Sequence, residues 1–184
     1  MPDEEKWDVL SHEIVLQHPF LNVAMETVRL PSGQIIEGWP IVDARSYVIV
    51  VAENEAGELL ILEGYKHGLG RSCWHMVGGY LEQGEEPVDS ARRELLEEAG
   101  CASDTLVPLG SFVVDANRRS SVAHLFLARR VCASVEDSES DDIEQTTLRW
   151  VPAEEARNAL YDGRVGVMSS ALALALALPI LSSK

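Results

Sequence analysis

The order of strand-like and helix-like runs predicts an α/β chain, and three observations carry that reading. A near-continuous, β-branched run from Ser46 to Ala52 (SYVIVVA) has the pattern of a strand buried on both faces. A segment opened by Pro87 and closed by Gly100 places Val88, Ala91, Leu95 and Ala99 at i, i+3, i+7 and i+11, the stripe of an amphipathic helix. The late apolar stretch Ala171 to Leu181 reads as a buried terminal helix.

The remaining elements follow in order. Glu13 to Leu16 and Leu21 to Leu30 favour extended structure, and the turn chemistry of Pro31-Ser32-Gly33 leads into Gln34-Ile35-Ile36, so an N-terminal hairpin or meander is expected. Ser46 to Ala52 pairs through the polar turn Glu53 to Gly57 with a second run, Glu58 to Leu62. Beyond Gly64 the chain is rich in glycine, and Trp74 to Tyr80 is a short strand candidate ending in a loop. After the Pro87 to Gly100 helix come strand candidates Leu109 to Val114 and Val122 to Ala128, separated by the polar Asp115 to Ser121. The acidic stretch Glu136 to Glu144 is expected to be a mobile loop. Leu148 to Val151 is a short last strand, Pro152 opens a helix through Leu160, Gly163 breaks it, and Val167 to Leu178 forms the final helix. No internal repeat is visible. The expected division is an N-terminal β region, 1–40, followed by one main domain, 41–184.

Composition bounds the function. With 184 residues, 46% apolar and 24% charged, the chain is a soluble globular type able to build a core without staples. Cys73, Cys101 and Cys132 are odd in number and far apart, which gives neither a disulfide framework nor a zinc pattern and points to a reducing, cytoplasmic setting. Fifteen basic against 30 acidic residues leave a net charge of −15, which argues against binding that rests on neutralising nucleic-acid phosphates. The acidic start carries no apolar run of the secretory or transit kind. Ala171 to Leu181 falls well below the roughly 20 residues that span a bilayer, so no membrane partner is expected.

The chemistry concentrates in GYLEQGEEPVDSARRELLEEAGC, residues 79–101. On the helix, Glu94, Glu97 and Glu98 stand at i, i+3 and i+4, one sector beside the core stripe. Three neighbouring carboxylates repel one another, so either water solvates them as an ordinary surface or a hard cation such as Mg²⁺ or Mn²⁺ resolves the repulsion.

The whole segment resembles the Nudix box, GX5EX7REUXEEXGU with U a bulky aliphatic residue, through Gly79, Glu85, Arg93, Glu94, Leu95, Glu97, Glu98 and Gly100. A chance alignment of the seven fixed residues at a given start is on the order of 1 in 10⁸. The closing aliphatic is Cys101 here, and a buried cysteine packs as a small hydrophobe. The resemblance implies the Nudix fold, an α/β/α sandwich around a mixed sheet, and Mg²⁺-dependent hydrolysis of a nucleoside diphosphate linked to another moiety. It implies that Glu94 and Glu98 are the principal metal ligands, with Glu97 sharing or supporting them and the backbone carbonyl of Gly78 completing the set. It also makes Arg93 and Glu85 orienters of those carboxylates; the bland reading of that pair is a surface salt bridge.

Outside the box the chain is diffusely similar to the ADP-ribose pyrophosphatase group within that family. The resemblance lies in Trp7 to Val9, His18 to Leu21, Val28 to Gly33, Gly64-Tyr65-Lys66 and Arg149 to Pro152. It implies ADP-ribose as substrate, a homodimer built on the N-terminal β region, and a general base in the acidic loop, Glu144 first and Asp142 next, although most acids there are ordinary solvated charges. Two departures stand out. His75-Met76-Val77-Gly78-Gly79 replaces the Glu-Leu-Pro-Ala-Gly run common in that group, and Val113 to Ser121 lacks its characteristic proline. His75 is either a substrate contact or a structural strand histidine. Lys66, Arg71, Arg118 and Arg119 either meet the diphosphate or are ordinary surface charges. The alternatives are a hydrolase of another nucleotide, whether a nucleoside triphosphate, a dinucleoside polyphosphate or a coenzyme, and a non-catalytic nucleotide-sensing module.

Overall fold

The computed structural model of the chain describes residues 6–134 and 146–182. The acidic stretch Glu136 to Glu144, with Asp142 and Glu144, lies outside the described residues. The chain divides into two compact units, Met1–Ser46 with Phe112–Val122, and Tyr47–Ser111 with Ala123–Lys184.

In the first unit, β1 (Asp8–His18), β2 (Leu21–Arg29) and β3 (Ile35–Ala44) form an antiparallel sheet in that order. The central strand alternates as a half-buried strand must, with Ala24, Glu26 and Val28 turned inward. β3 runs eight residues past the Gln34-Ile35-Ile36 expected from sequence, straight through Pro40. Proline reads as a breaker, but β3 is an edge strand, where a missing N–H deprives no neighbour. Residues 112–122 join this unit through backbone acceptors: the Arg118 carbonyl takes the Val42 N–H at 2.9 Å, and the Asn117 carbonyl takes the Trp39 indole N–H at 3.0 Å.

The second unit is built on β4 (Tyr47–Asn54), β5 (Glu58–Lys66), β6 (Arg71–His75), β7 (Cys101–Ala102), β8 (Thr105–Val113), β9 (Val122–Ala133) and β10 (Thr147–Pro152), with the β8 and β9 tips falling in the first unit. The strands run β10-β5-β4-β9-β7, with β6 on β5 and β8 on β9. β4 lies parallel to β9 while β5 pairs antiparallel with β4, β6 and β10, so the sheet is mixed. β4 is buried from Val48 to Glu53, as its unbroken apolar run requires.

The helices are α1 (Pro87–Ala99), α2 (Ala153–Ala159) and α3 (Met168–Leu181). α1 has the expected ends: Pro87 stands in its first turn, and Gly100, at φ 60°, closes it with its N–H on the Leu95 and Leu96 carbonyls. Ala91 and Leu95 are fully buried against Val48, Val50, Ala52, Leu60 and Leu62, with Val88 and Ala99 packed at the margin. Because side chains alternate along a strand, Ile49 and Val51 are left for the other face of β4, and α3 also packs on β4. α3 buries Ser169, Ser170, Ala173, Leu174, Ala177 and Leu178, one face at helical spacing. No helix among the described residues is long and apolar enough to cross a membrane.

Besides β3, several strands differ from the sequence reading: β1, β5 and β8 run longer than expected, and β6, β9 and β7 differ as follows. The strand expected at Trp74 to Tyr80 is instead β6 at Arg71–His75, followed by single bridges from Val77 to Val50 and from Tyr80 to Tyr47. β9 continues past Ala128 to Ala133 by absorbing a bulge at Arg130, whose φ is 52°. The two-residue β7 has no periodicity to read and exists because Cys101 and Ala102 pair with Ala133 and Cys132.

Candidate active site

The site begins where the chain between β6 and α1 passes β4. Val77 and Gly79 give their carbonyls to the N–H groups of Val50 and Val48 at 2.8 and 2.9 Å. In an extended segment that alternation turns the intervening Gly78 carbonyl away from β4, and no donor among the described residues is set against it. Both glycines are required by close approach. A Cβ on Gly78 would strike the Val48 carbonyl and the Ile49 side chain, and one on Gly79 would overlap the carboxylate of Glu94.

Helix α1 supplies the charge. The Glu94 side chain is about 10% exposed, held under Gly79 beside the apolar stripe that buries Ala91 and Leu95. Glu98 accepts the Gly78 N–H at 2.9 Å, which ties the helix to the glycine segment. Arg93 is the hub. Its Nε and one terminal nitrogen each donate to Glu85 at 2.9 Å, and the other terminal nitrogen donates to Glu94 at 2.7 Å and to Glu97 at 2.9 Å. The Tyr80 carbonyl and the Ser90 hydroxyl accept at 3.1 Å from the terminal nitrogen that also donates to Glu85. With Arg93 24% and Glu85 15% exposed, this is a half-buried network and not the surface pair of the bland reading.

The ionisation of these groups follows their surroundings. The bidentate Arg93 guanidinium holds the Glu85 carboxyl at about 2, well below the usual range. The carboxylates push the Arg93 guanidinium further up. Burial, more than the neighbouring Glu97 and Glu85 charges, pushes the Glu94 carboxyl up, and the Arg93 contact only partly offsets it. Four carboxylates against one guanidinium leave a marked local excess of negative charge.

That excess decides how a hard divalent cation fits. The donors are all oxygen: the Glu94, Glu97 and Glu98 carboxylates and the Gly78 carbonyl, the set such an ion takes. Among the described residues no three His, Cys, Asp or Glu side chains converge as a ready-made metal cage. Arg93 stands between Glu94 and Glu97, and Glu98 faces the Gly78 N–H. The donors suit the ion chemically, and their carboxylates are occupied by internal partners.

A cavity of about 370 Å³ opens on the glycine segment, lined by Tyr47, Lys66, Gly78, Gly79, Tyr80 and Ser169 among others. Lys66 therefore shares a surface with the box glycines. Arg71 does not line this cavity; its guanidinium donates to the Ser72 and Gly163 carbonyls at 3.1 Å. His75 is 5% exposed, with Nδ1 3.2 Å from the Met76 carbonyl, and also lies outside the lining. Arg118 and Arg119 belong to the first unit, where Arg118 pairs with Asp115 at 2.9 Å and Arg119 stands 4.0 Å from Glu26. Sequence reasoning did not single out Ser90, although its i, i+3 spacing to Arg93 was a usable signal. Tyr47 and Ser169 carry no motif, since only the fold brings them to the cavity.

Comparison with known proteins bears on the family and the fold. The NUDIX domain family model matches residues 43–169. An ADP-ribose pyrophosphatase of Bacillus subtilis (strain 168) is 29% identical over 153 residues, covering 83% of this chain and 81% of that protein. A CMP-5'-(N-acetyl-N-hydroxy-3-aminopropyl)phosphonate hydrolase of Streptomyces rubellomurinus is 27% identical over 169 residues, covering 92% and 81%. A crystal structure of an ADP compounds hydrolase superposes with a TM-score of 0.83 at 20% identity, covering 97% of this chain and 95% of that one, which shows a shared fold.

Proposed function

The chain belongs to the NUDIX domain family of pyrophosphohydrolases, and from that premise we propose that it cleaves the diphosphate of a nucleoside diphosphate linked to another moiety, ADP-ribose first, giving AMP and ribose 5-phosphate. The observation that carries this reading is the arrangement of Glu94 and Glu98 against Gly79 and Gly78, with Arg93 fixing the carboxylates of Glu85, Glu94 and Glu97. The similarity to an ADP-ribose pyrophosphatase over most of both chains supports the substrate. The similarity to a hydrolase of a CMP-linked phosphonate favours a second reading, a different nucleotide joined to a different group.

In this reading Glu94 and Glu98 hold Mg²⁺, or Mn²⁺ in its place, with Glu97 sharing and the Gly78 carbonyl completing the set. When bound, the ion neutralises the diphosphate and lowers the pKa of the attacking water. Arg93 and Glu85 position the carboxylates: the bidentate contact fixes the guanidinium, and the guanidinium fixes Glu94 and Glu97. Lys66 meets the diphosphate from the cavity wall. Arg71 and His75, expected as substrate contacts, are assigned to holding the β6 segment. Asp142 and Glu144 are retained as candidates for the general base. We place the enzyme in a reducing, cytoplasmic setting, in keeping with its three free cysteines, and as a homodimer through residues 1–40, with 41–184 as the hydrolase domain.

The test is metal removal combined with Glu98→Gln. Activity should vanish with a chelator and return with Mg²⁺ or Mn²⁺, and the variant should lose roughly 10²-fold or more in kcat with little change in Tm. Retention of most activity by the variant contradicts the metal assignment.

A further inference from the structure

We propose that Tyr47 and Tyr80 form an aromatic corner on which the nucleobase of the substrate stacks, so that these two side chains set a preference for a nucleotide over a bare sugar phosphate. Tyr47 opens β4, Tyr80 follows Gly79, and the two pair in a single antiparallel bridge. Directly opposed residues put their side chains on one face of a sheet, and the two rings meet with centroids 6.5 Å apart and planes at 84°. Val48 and Val50 face the core with α1, so Tyr47 and Ile49 take the other face of β4. The backbone about Tyr80 is held on both sides. The Gly79 carbonyl accepts the Val48 N–H at 2.9 Å, and the Tyr80 carbonyl accepts from Arg93 at 3.1 Å.

Both rings line the cavity of about 370 Å³, with Ile49, Val167, Lys66 and Ser169 among its other walls. Ligand sites span about 300–1,000 Å³, so a cavity of this size takes one moiety of a dinucleotide-like substrate and not the whole. Tyr80 is 46% exposed, and a planar ligand laid against it removes that apolar surface from water. Two rings at nearly right angles offer such a ligand a face to stack on and an edge to meet. A nucleobase has the matching plane, and a ribose does not. A ribose diol is commonly held by an Asp or Glu side chain, and none of the described residues lining this cavity is Asp, Glu, Asn or Gln. Gly78 and Gly79 line the same cavity and are the glycines that Glu98 and Glu94 reach, so a diphosphate held at those carboxylates brings its nucleoside to the tyrosines. That link to the diphosphate rests on the function proposed above; the base site itself does not.

The experiment is calorimetric titration of the full chain, with chelator present, by AMP and separately by ribose 5-phosphate, two ligands that share a ribose and a phosphate and differ in the base. The wild type should bind AMP more tightly than ribose 5-phosphate. Tyr80→Leu and Tyr47→Leu should each weaken the AMP Kd roughly tenfold and leave that of ribose 5-phosphate within about twofold, with Tm kept. Tyr80→Phe should bind AMP as the wild type does, because the ring and not the hydroxyl makes the contact. Absence of AMP binding by the wild type, equal losses for the two ligands, or an AMP Kd unchanged in both leucine variants overturns the site. Because no turnover is involved, a protein that cleaves no diphosphate yet binds AMP through the tyrosines refutes the proposed function alone. An active enzyme whose AMP Kd ignores both tyrosines refutes the base site alone.

Discussion

At Arg93 one guanidinium meets three carboxylates, and the consequence is measurable as a pH dependence. The folded pKa of Glu85, about 2, lies below the 4.5 expected of an unstructured glutamate. A depressed carboxyl contributes stability that is fully present above the unfolded value and is lost as pH falls toward the folded one. The stability difference between the wild type and Glu85→Gln, measured by urea unfolding in chelator, should therefore fall by more than half between pH 7 and pH 3. A difference independent of pH would show that the Glu85 contact is not ionic. Much of this network was legible in sequence, because Arg93 and Glu97 stand at i, i+4 on a helix whose ends are marked. The Tyr80 carbonyl was not legible, since a backbone acceptor leaves no trace in residue identity.

Helix α1 links the core to the site. Its Ala91 and Leu95 face is buried, and the adjoining sector carries Glu94 against Gly79. Leu95→Ala should cost about 2–5 kcal/mol by leaving a cavity under β4, measured by denaturant unfolding. It should also lower kcat, because the helix that seats the carboxylates loses its packing; a cost under about 1 kcal/mol would contradict the burial. Pro87 and Gly100 made α1 readable to the residue, since each acts through its own backbone. β3 was unreadable beyond Ile36 because Pro40 is tolerated only through the strand's edge position, a property of the sheet. β7 was missed because pairing alone defines it.

Over the whole molecule, hydrophobic patterning and turn chemistry cannot show that residues 112–122 cluster with the N-terminal strands, because backbone acceptors, the Asn117 and Arg118 carbonyls, join them. In the first unit, β1 is exposed along its length and presents Val9, Leu10, Ile14, Val15 and Leu16, each between 45 and 56% exposed, on the edge of its sheet. An apolar edge strand of this kind invites a partner. Light scattering should give a dimer mass for the wild type, and Ile14→Asp with Val15→Asp, which charges both faces of the strand, should give a monomer. A monomeric wild type would contradict the homodimer.

The substrate is decided by kcat/KM with Mg²⁺ across ADP-ribose, other nucleotide sugars, CMP-linked phosphonates, dinucleoside polyphosphates and nucleoside triphosphates. ADP-ribose should lead the panel and yield AMP and ribose 5-phosphate. Absence of diphosphate cleavage anywhere in the panel, with Mn²⁺ as well as Mg²⁺, would contradict it.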